Sequence, residues 1–298
     1  MIGRKQSENT DELSAVDLAR PFLPEKLTPL FHTNAYAALT TRQRLRYNQL
    51  QGLYFNEQIA FFESAIARNV LDALATGRSL SRLSTALQQF AEEERRHTEM
   101  FRRLNRRAAP QLYAGRDFHF VRVPRAWAVL LGWTTRHPRV FPLFAWLMLL
   151  QEERSLYYSR EMIRHGDVLD PQFVAVHRAH LADEVDHVRW DEDLLIELWQ
   201  PAGWWRRHGN ACLFHWMVGE FFNAPKRAQV RVVEELVCEH PEMNEQLPEL
   251  RRQLVALGRD AKYQNSLYSH KIVPRTLARL DAWPEFHALA KQLTGEGR

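Results

Sequence analysis

The feature that most constrains this chain is a Glu-x-x-His motif that occurs twice, as Glu94-Arg-Arg-His97 and Glu184-Val-Asp-His187, 90 residues apart. On a helix, the two side chains of each motif project from one face and can bind the same metal ion. Glu63 and Glu153 each precede one motif by 31 residues and are therefore also 90 residues apart. A bundle that holds two metal ions takes two such motifs and two single glutamates from four helices. The repeat thus predicts an all-α four-helix bundle made of two helix hairpins, with their ligands at the same height.

His180 interrupts the symmetry between the two halves. The position 90 residues before it holds Phe90, so the second half has an imidazole where the first has an aromatic ring. Because His180 lies one helical turn before the second motif, we expect it to be a seventh ligand, with a hydrogen-bonding neighbour of the ligands as the alternative. His177, almost a turn earlier, fits an ordinary helix residue or such a neighbour. Glu57 competes with Glu63 as the first ligand, but it breaks the 31-residue spacing and is ranked second.

Helical periodicity predicts one all-α domain over residues 41–298, after a tail and irregular lead-in over residues 1–40 that contains Pro21, Pro24 and Pro29. The metal-binding bundle covers about residues 41–200, and additional C-terminal helices cover about 201–298. Residues 141–150 are apolar on every side but too few to cross a bilayer, so they predict a buried core helix. The expected helices span 41–75, 79–107 (with Ser79 as N-cap after a turn at 77–79), a stretch after Pro124, 138 onward, 171 onward, 204–222, 226–238, 247–257 and 276–293, with a short extended piece at 117–123.

Composition argues against several classes of protein. The two cysteines, Cys212 and Cys238, are too few for a disulfide framework and fit a reducing cytoplasm, and we expect both to be buried. Residues 1–20 contain no apolar stretch, so no secretory signal is expected. The net charge of +4 is mild, and no motif that reads nucleic acid accompanies the scattered basic residues. Neither nucleic acid nor a membrane is therefore an expected partner. A homodimer is compatible with the sequence but is not indicated by it.

Together, Glu63, Glu94-x-x-His97, Glu153 and His180-x-x-x-Glu184-x-x-His187 resemble the ligand set of the ferritin-like di-iron N-oxygenases, the p-aminobenzoate N-oxygenase family. A third histidine one turn before the last motif marks that family, and the resemblance covers roughly residues 40–200. It implies a ferritin-like bundle with two iron ions, in which all seven residues bind metal and take part in catalysis. It also implies O2 as co-substrate and oxidation of an amine to a hydroxylamine, nitroso or nitro product in specialised metabolism.

Other readings of the same residues remain open. Six of the seven ligands also occur in acyl-chain desaturases or hydroxylases and in ferritin-type iron oxidases, and His180 is the one residue that argues against a desaturase. Iron storage is disfavoured because about a hundred residues follow the last ligand helix and could form a substrate cavity. A metal-free helical interaction protein is the third hypothesis. No Gly-x-Gly-x-x-Gly motif is present, so electrons are expected from an external donor. Tyr157 and Tyr158 follow the expected ligand Glu153, where packing is the favoured role and a redox role the alternative.

Overall fold

The computed structural model describes residues 15–76, 84–219 and 227–294, and these residues form helices joined by turns, with no strand among them. The all-α prediction is therefore confirmed. The helices are α1 (Asn34–Ala38), α2 (Thr41–Phe62), α3 (Arg68–Ala75), α4 (Ser84–Ala108), α5 (Arg125–Thr135), α6 (Leu143–Arg164), α7 (Pro171–Trp199), α8 (Trp204–Met217), α9 (Arg227–Glu239), α10 (Leu247–Leu257), α11 (Ala261–Leu267), α12 (Pro274–Asp281) and α13 (His287–Thr294), with a π-helical segment at Glu63–Ala67.

The long helices α2, α4, α6 and α7 form a ferritin-like bundle in which α6 lies along α7, α2 lies along α4, and α4 contacts α7. Residues 143–150 of α6 are all buried, which confirms the predicted core helix. The C-terminal helices pack outside the bundle, with α9 against α2 and α12 against α6. Within the described ranges, no helix is long and apolar enough to cross a membrane.

The first bundle helix changes its winding where it reaches Glu63. A capping box starts α2, because the Thr40 hydroxyl accepts a bond from the Gln43 amide and the Gln43 side chain accepts one from the Thr40 amide. The chain then remains helical to Ala75, as predicted, but Glu63–Ala67 winds as a π-helix between α2 and α3. Such single-turn π segments hold an extra residue per turn and often occur at functional sites.

The N-terminal lead-in packs directly on the bundle. Phe22 stacks on Phe173 of α7, with ring centroids 3.8 Å apart, and crosses α2 at Gly52. A Cβ atom at position 52 would lie only 2.5 Å from Cβ of Phe22, so glycine is required at this crossing. Asp170 caps α7 by accepting bonds from the Gln172 and Phe173 amides. The lead-in is less irregular than predicted, since it contains 3₁₀ turns at Glu25–Leu27 and Pro29–His32 and the short helix α1.

Several element boundaries differ from the prediction. The expected turn at 77–79 and the Ser79 N-cap lie outside the described residues, and α4 is described from Ser84. Residues 117–123 form no strand. The helix expected at 276–293 is interrupted at Trp283, whose backbone is extended because Pro284 follows it. The prediction for 247–257 is confirmed, whereas α11 was not predicted. Cys212 and Cys238 are both exposed, so the prediction that they are buried is wrong.

Candidate metal centre

The structure brings four of the predicted ligands together between α4 and α7. Nδ1 of His97 lies 3.4 Å from the Glu184 carboxylate, and Nδ1 of His187 lies 3.2 Å from Glu94 and 3.4 Å from Glu184. All four side chains are buried. Their donor atoms lie within 4.8 Å of one another, as do those of a second group that shares two members with the first. The second group consists of Glu63, His97, His180 and Glu184.

An acidic residue on the opposite helix orients each of the two motif histidines. Nε2 of His97 lies 3.0 Å from Asp183 on α7, and Nε2 of His187 lies 3.0 Å from Glu93 on α4. These contacts turn both Nδ1 atoms toward the cluster and fix the ring orientation. Sequence reasoning missed this pair, because Glu93 lies in the acidic run Glu92-Glu93-Glu94, a composition typical of a solvated helix face. The signal was present, since an acidic residue directly precedes each Glu-x-x-His motif and the two are 90 residues apart.

His180 lies at the cluster, as predicted. Its Nε2 is 3.0 Å from Glu63 and 2.7 Å from Glu184, and its ring packs edge-on against His97 at 4.6 Å. Phe90 occupies the corresponding place in the first half, where its ring lies 4.1 Å from that of His187. The approximate two-fold symmetry of the centre therefore holds for the packing, while the extra imidazole nitrogen makes the side near Glu63 richer in donors.

The structure does not bring Glu153 to the cluster, which corrects the sequence prediction. Its two carboxylate oxygens accept bonds from the backbone amides of Arg275 (2.9 Å) and Thr276 (2.7 Å), at the first turn of α12. The preceding residue, Glu152, is buried and faces Glu184 instead. Equal spacing across two hairpins could not choose between Glu152 and Glu153. If the turns of the two hairpins differ in length by one residue, the sequence spacing changes by one while the ligand stays at the same position along the bundle.

Two other candidates lie away from the cluster. Glu57 is buried, but it accepts bonds from the Tyr113 hydroxyl and from the backbone amides of residues 119–121. Its carboxylate therefore holds that loop, and Glu63 rather than Glu57 contacts the other ligands. His177 is hydrogen-bonded to Asn56 and Ser159, and among the described residues it forms no hydrogen bond or ion pair with a predicted ligand. Tyr158 stacks on Phe55 at 4.8 Å, a packing role.

Burial dominates the electrostatics of the cluster. It raises the pKa of Glu63 well above the usual range, with a further rise from Glu94 and Glu184. Burial and the proximity of Glu184 likewise raise the pKa of Glu152. Burial would also raise the pKa of Glu184, but His180 and His187 outweigh it and hold that pKa well below the usual range. Carboxylates packed this closely are all negatively charged at once only when cations compensate their mutual repulsion.

The donor set fits a pair of metal ions. Both oxygens of Glu94 and Nδ1 of His97 and His187 are buried and have no hydrogen-bond partner among the described residues, although such atoms are normally paired. Imidazole and carboxylate donors suit first-row transition metals such as iron and manganese. Because the two groups share His97 and Glu184, they fit two neighbouring ions. Asp191, one turn beyond His187, is also fully buried with both oxygens unpartnered within the described ranges.

A narrow pocket of about 30 Å³, partly open to solvent, adjoins the cluster. Its lining comes from the π segment, α2, α6 and α7 and includes Glu63, Glu152, Ser155 and His180. Among the described residues, none after 201 lines it, in contrast to the expectation. Arg154 also lines it. Burial disfavours the charged guanidinium, but the hydroxyls of Tyr268 and Tyr158 outweigh burial and raise the pKa of Arg154.

Comparison with known proteins adds one finding. Residues 8–260 of the chain match the family model described as P-aminobenzoate N-oxygenase AurF. This range contains the whole bundle, every residue of the cluster and every residue that lines the adjoining cavity. No curated protein matches the chain.

Proposed function

The chain belongs to the p-aminobenzoate N-oxygenase family and is an oxygenase, and from this membership we propose that its buried cluster binds two iron ions and that the protein uses O2 to oxygenate an amine nitrogen. The observation that carries the proposal is the pair of donor groups that share His97 and Glu184. The family match does not favour a desaturase or an iron-storage protein.

We assign seven ligands to the two ions. Six are the sequence-predicted residues Glu63, Glu94, His97, His180, Glu184 and His187, whose burial and mutual distances support the assignment. The seventh is Glu152, which replaces Glu153 because it faces Glu184 and lines the cavity. Thr98 supports Glu63 by donating a hydrogen bond of 3.2 Å to its second oxygen.

The proposed reaction takes one amine, one O2, two electrons and two protons to a hydroxylamine and one water. Iron at the cluster supplies the redox chemistry that reduction of O2 requires. The protein holds the ligands rigidly through the Asp183 and Glu93 contacts, and Phe90, Phe101 and Trp190 shield the imidazoles from water. An external donor supplies the electrons. Further oxidation to a nitroso or nitro product repeats the same chemistry.

Arg154 indicates the kind of amine. A buried guanidinium is normally paired with an anion, yet within the described residues the neighbours of Arg154 are the neutral Tyr158 and Tyr268, whose rings lie 5.1 Å and 5.4 Å away and whose hydroxyls interact with it. Because it lines the cavity beside Glu63 and Glu152, we propose that it pairs with a carboxylate of the substrate. An amine that carries a carboxylate, as p-aminobenzoate does, offers its nitrogen to the cluster and its carboxylate to Arg154.

Two measurements test these proposals separately. Iron-loaded protein supplied with a reductant and O2 should convert p-aminobenzoate to a product that has gained oxygen, detected by mass spectrometry. The Arg154→Met variant should raise the KM for p-aminobenzoate at least about tenfold and leave the KM for aniline, which lacks the carboxylate, nearly unchanged. No oxygenated product from any amine would contradict the function, whereas equal effects on both amines would contradict only the role of Arg154.

Three further assignments complete the proposal. We place the protein in the cytoplasm, because both cysteines are unpaired. We treat residues 41–298 as one functional unit, since α12 binds Glu153 of the bundle. We also propose that the enzyme is a homodimer, and the exposed tryptophans Trp127, Trp133 and Trp205 on α5 and α8 support this proposal.

A further inference from the structure

One aromatic side chain joins the metal centre to the protein surface. The indole of Trp190 on α7 stacks on the imidazole of His187, with ring centroids 5.6 Å apart and an angle of 29° between the rings. Phe90 on α4 packs against both, at 4.1 Å from His187 and 5.3 Å from Trp190. His187 is buried, whereas Trp190 is only partly buried. The two stacked rings therefore form a path from a proposed iron ligand to solvent.

This path has no counterpart at the other ligand imidazoles within the described part of the chain. The other aromatic rings that contact these imidazoles are those of Phe90 and Phe101, and both are fully buried. The position 90 residues before Trp190 holds Met100, so the first half of the repeat has no ring at this place. The pocket beside Glu63 also reaches solvent, but it is narrow and is where we place the substrate. Trp190 offers a route to the centre that leaves the substrate in place.

The proposed reaction consumes two electrons for each oxygen atom transferred, and these come from an external donor. Electron transfer slows steeply as the gap between donor and acceptor widens, and stacked rings shorten that gap. We propose that the donor delivers its electrons to the iron through Trp190 and His187. This inference rests on the proposed function, since it requires bound iron. Each of two successive transfers oxidises one donor molecule by one electron and leaves Trp190 unchanged, so two oxidised donors accompany each oxygen atom transferred.

Acidic side chains surround the exposed edge of Trp190. Asp186, Asp193 and Glu197 lie four residues before, three after and seven after Trp190, so all project from the same face of α7. All three are exposed, and with the described residues they form no ion pair. Arg189 projects about 100° to one side of Trp190. We call the surface formed by these three acids and Trp190 the entry stripe.

The charge of the entry stripe indicates the kind of donor that docks there. A negative rim attracts cationic carriers, repels anionic ones and loses both effects at high salt. Encounters between redox proteins bury little surface, so a short stripe on one helix is large enough. The entry stripe therefore fits a one-electron carrier protein whose redox centre is surrounded by basic residues.

Two viologen radicals of opposite charge test the path. The methyl viologen radical is a cation, the radical of its bis-sulfonatopropyl derivative is an anion, and both lose their colour when they give up one electron. Mixed without O2 or amine with the oxidised, iron-loaded protein, the cation should react at least about tenfold faster than the anion at low salt. The difference should shrink at about 1 M salt. Trp190→Ala should slow both reactions severalfold, and Trp190→Phe should restore part of the rate.

A charge variant tests the docking surface without altering either ring. At low salt, Asp193→Lys should slow the reaction of the cationic radical and accelerate that of the anionic radical, each at least about threefold. Asp167→Lys is the matched control, because Asp167 is also an exposed aspartate whose side chain forms no ion pair with the described residues. It lies in the turn between α6 and α7 and should leave both rates nearly unchanged.

A measurement on the metal-free protein examines the entry stripe independently of iron. The difference in fluorescence between the wild type and Trp190→Phe isolates the emission of Trp190. Caesium is a cationic collisional quencher and iodide an anionic one, and each is normalised to its effect on free N-acetyltryptophanamide. Caesium should quench the Trp190 emission more than iodide at low salt, and Asp193→Lys should reduce this preference.

The outcomes separate this inference from the proposed function. Iron-loaded Trp190→Ala that is reduced at the wild-type rate, or a Trp190 emission that neither ion quenches, overturns the inference. If Trp190→Ala loses its iron, Asp193→Lys decides, and unchanged rates with both radicals overturn it. A wild-type protein that binds no iron contradicts the proposed function, whereas an iron-loaded protein reduced independently of Trp190 contradicts only the electron path.

Discussion

At the scale of single residues, adjacent glutamates on α6 contact different parts of the protein. Glu152 faces the cluster, and Glu153 caps α12. We therefore expect Glu152→Gln to lower the iron content below two ions per chain. Glu153→Gln should keep the iron and lower the free energy of unfolding by about 0.5–1.5 kcal/mol, because it weakens a capping interaction. Iron analysis and chemical denaturation measure the two effects, and iron loss in Glu153→Gln alone would restore the original prediction.

His180 is the residue on which the narrower family assignment depended. The change His180→Phe copies the ring that Phe90 already provides in the other half, so the variant should fold. We expect weaker iron binding and at least about tenfold lower N-oxygenation, because a ligand contributes no less than its supporting neighbours do. His177→Phe is the control: it removes hydrogen bonds to Asn56 and Ser159 and should retain the iron. Unchanged iron content and turnover in His180→Phe would remove His180 from the ligand set.

The repeat led to Glu63, which lies in the cluster, but it also selected Glu153, where the residue that faces the cluster is Glu152. Glu94 and Glu184, which the 90-residue repeat relates, do lie in one cluster, because Glu94 is on α4, Glu184 is on α7 and these helices contact each other. Asp183 and Glu93 repeat in the same way but resemble surface acids, since their partners are on another helix. Only the packing of α4 against α7 determines that pairing.

At the scale of elements, α2 and the π segment that follows it carry two buried glutamates with separate tasks. Glu57 binds the loop at residues 119–121, and Glu63 lies in the cluster. We expect Glu57→Gln to keep two iron ions and to lower the free energy of unfolding by about 1–3 kcal/mol, because buried amide donors lose an acceptor. Glu63→Gln should instead lower the iron content and leave the free energy of unfolding of the iron-free protein nearly unchanged. Iron analysis and denaturation of both variants decide the assignment, and iron loss in Glu57→Gln with retention in Glu63→Gln would contradict it.

Helix positions were predictable where local chemistry determines them. The Thr40 cap, Pro171 at the start of α7 and the full span of α10 all follow from the sequence. The break at Trp283 was also readable, because a residue before proline avoids helical geometry. The π segment was not, since an inserted residue within a helix leaves no distinct sequence pattern and depends on packing against α4 and α5.

At the scale of the whole molecule, metal binding and folding are linked through buried acids. Burial raises the pKa values of Glu63, Glu152 and Asp191 well above their usual range, so without metal the folded protein retains protons that the unfolded chain releases. Retained protons make stability fall as pH rises. The pKa of His187 changes in the same sense: burial would lower it, but Glu184 and other acids raise it well above its usual value.

Two histidines change the free energy of unfolding with pH in the opposite direction, and their titration sets the pH range in which the effect of the acids is best measured. Burial lowers the pKa values of His177 and His180, so these residues make stability rise with pH, but only up to the unfolded value of 6.5. Above that pH both are neutral in the folded and the unfolded states. Of the groups named here, the buried acids and His187 are then the ones that can bind more protons in the folded than in the unfolded state between about pH 7 and pH 9. Each proton that the folded state retains in this interval lowers the free energy of unfolding by up to about 1.4 kcal/mol per pH unit.

Removal of iron should therefore change both the stability and its pH dependence. Chelator-treated protein should unfold at a lower denaturant concentration than the iron-loaded protein, because ligands that bind only the folded state stabilise it. Its stability should decline from pH 7 to pH 9, whereas in the iron-loaded protein the ligands are already deprotonated and the decline should be smaller. Denaturant unfolding of both forms at the two pH values measures this difference. An iron-free protein whose stability rises over this interval would show that the buried acids are ionised without a metal.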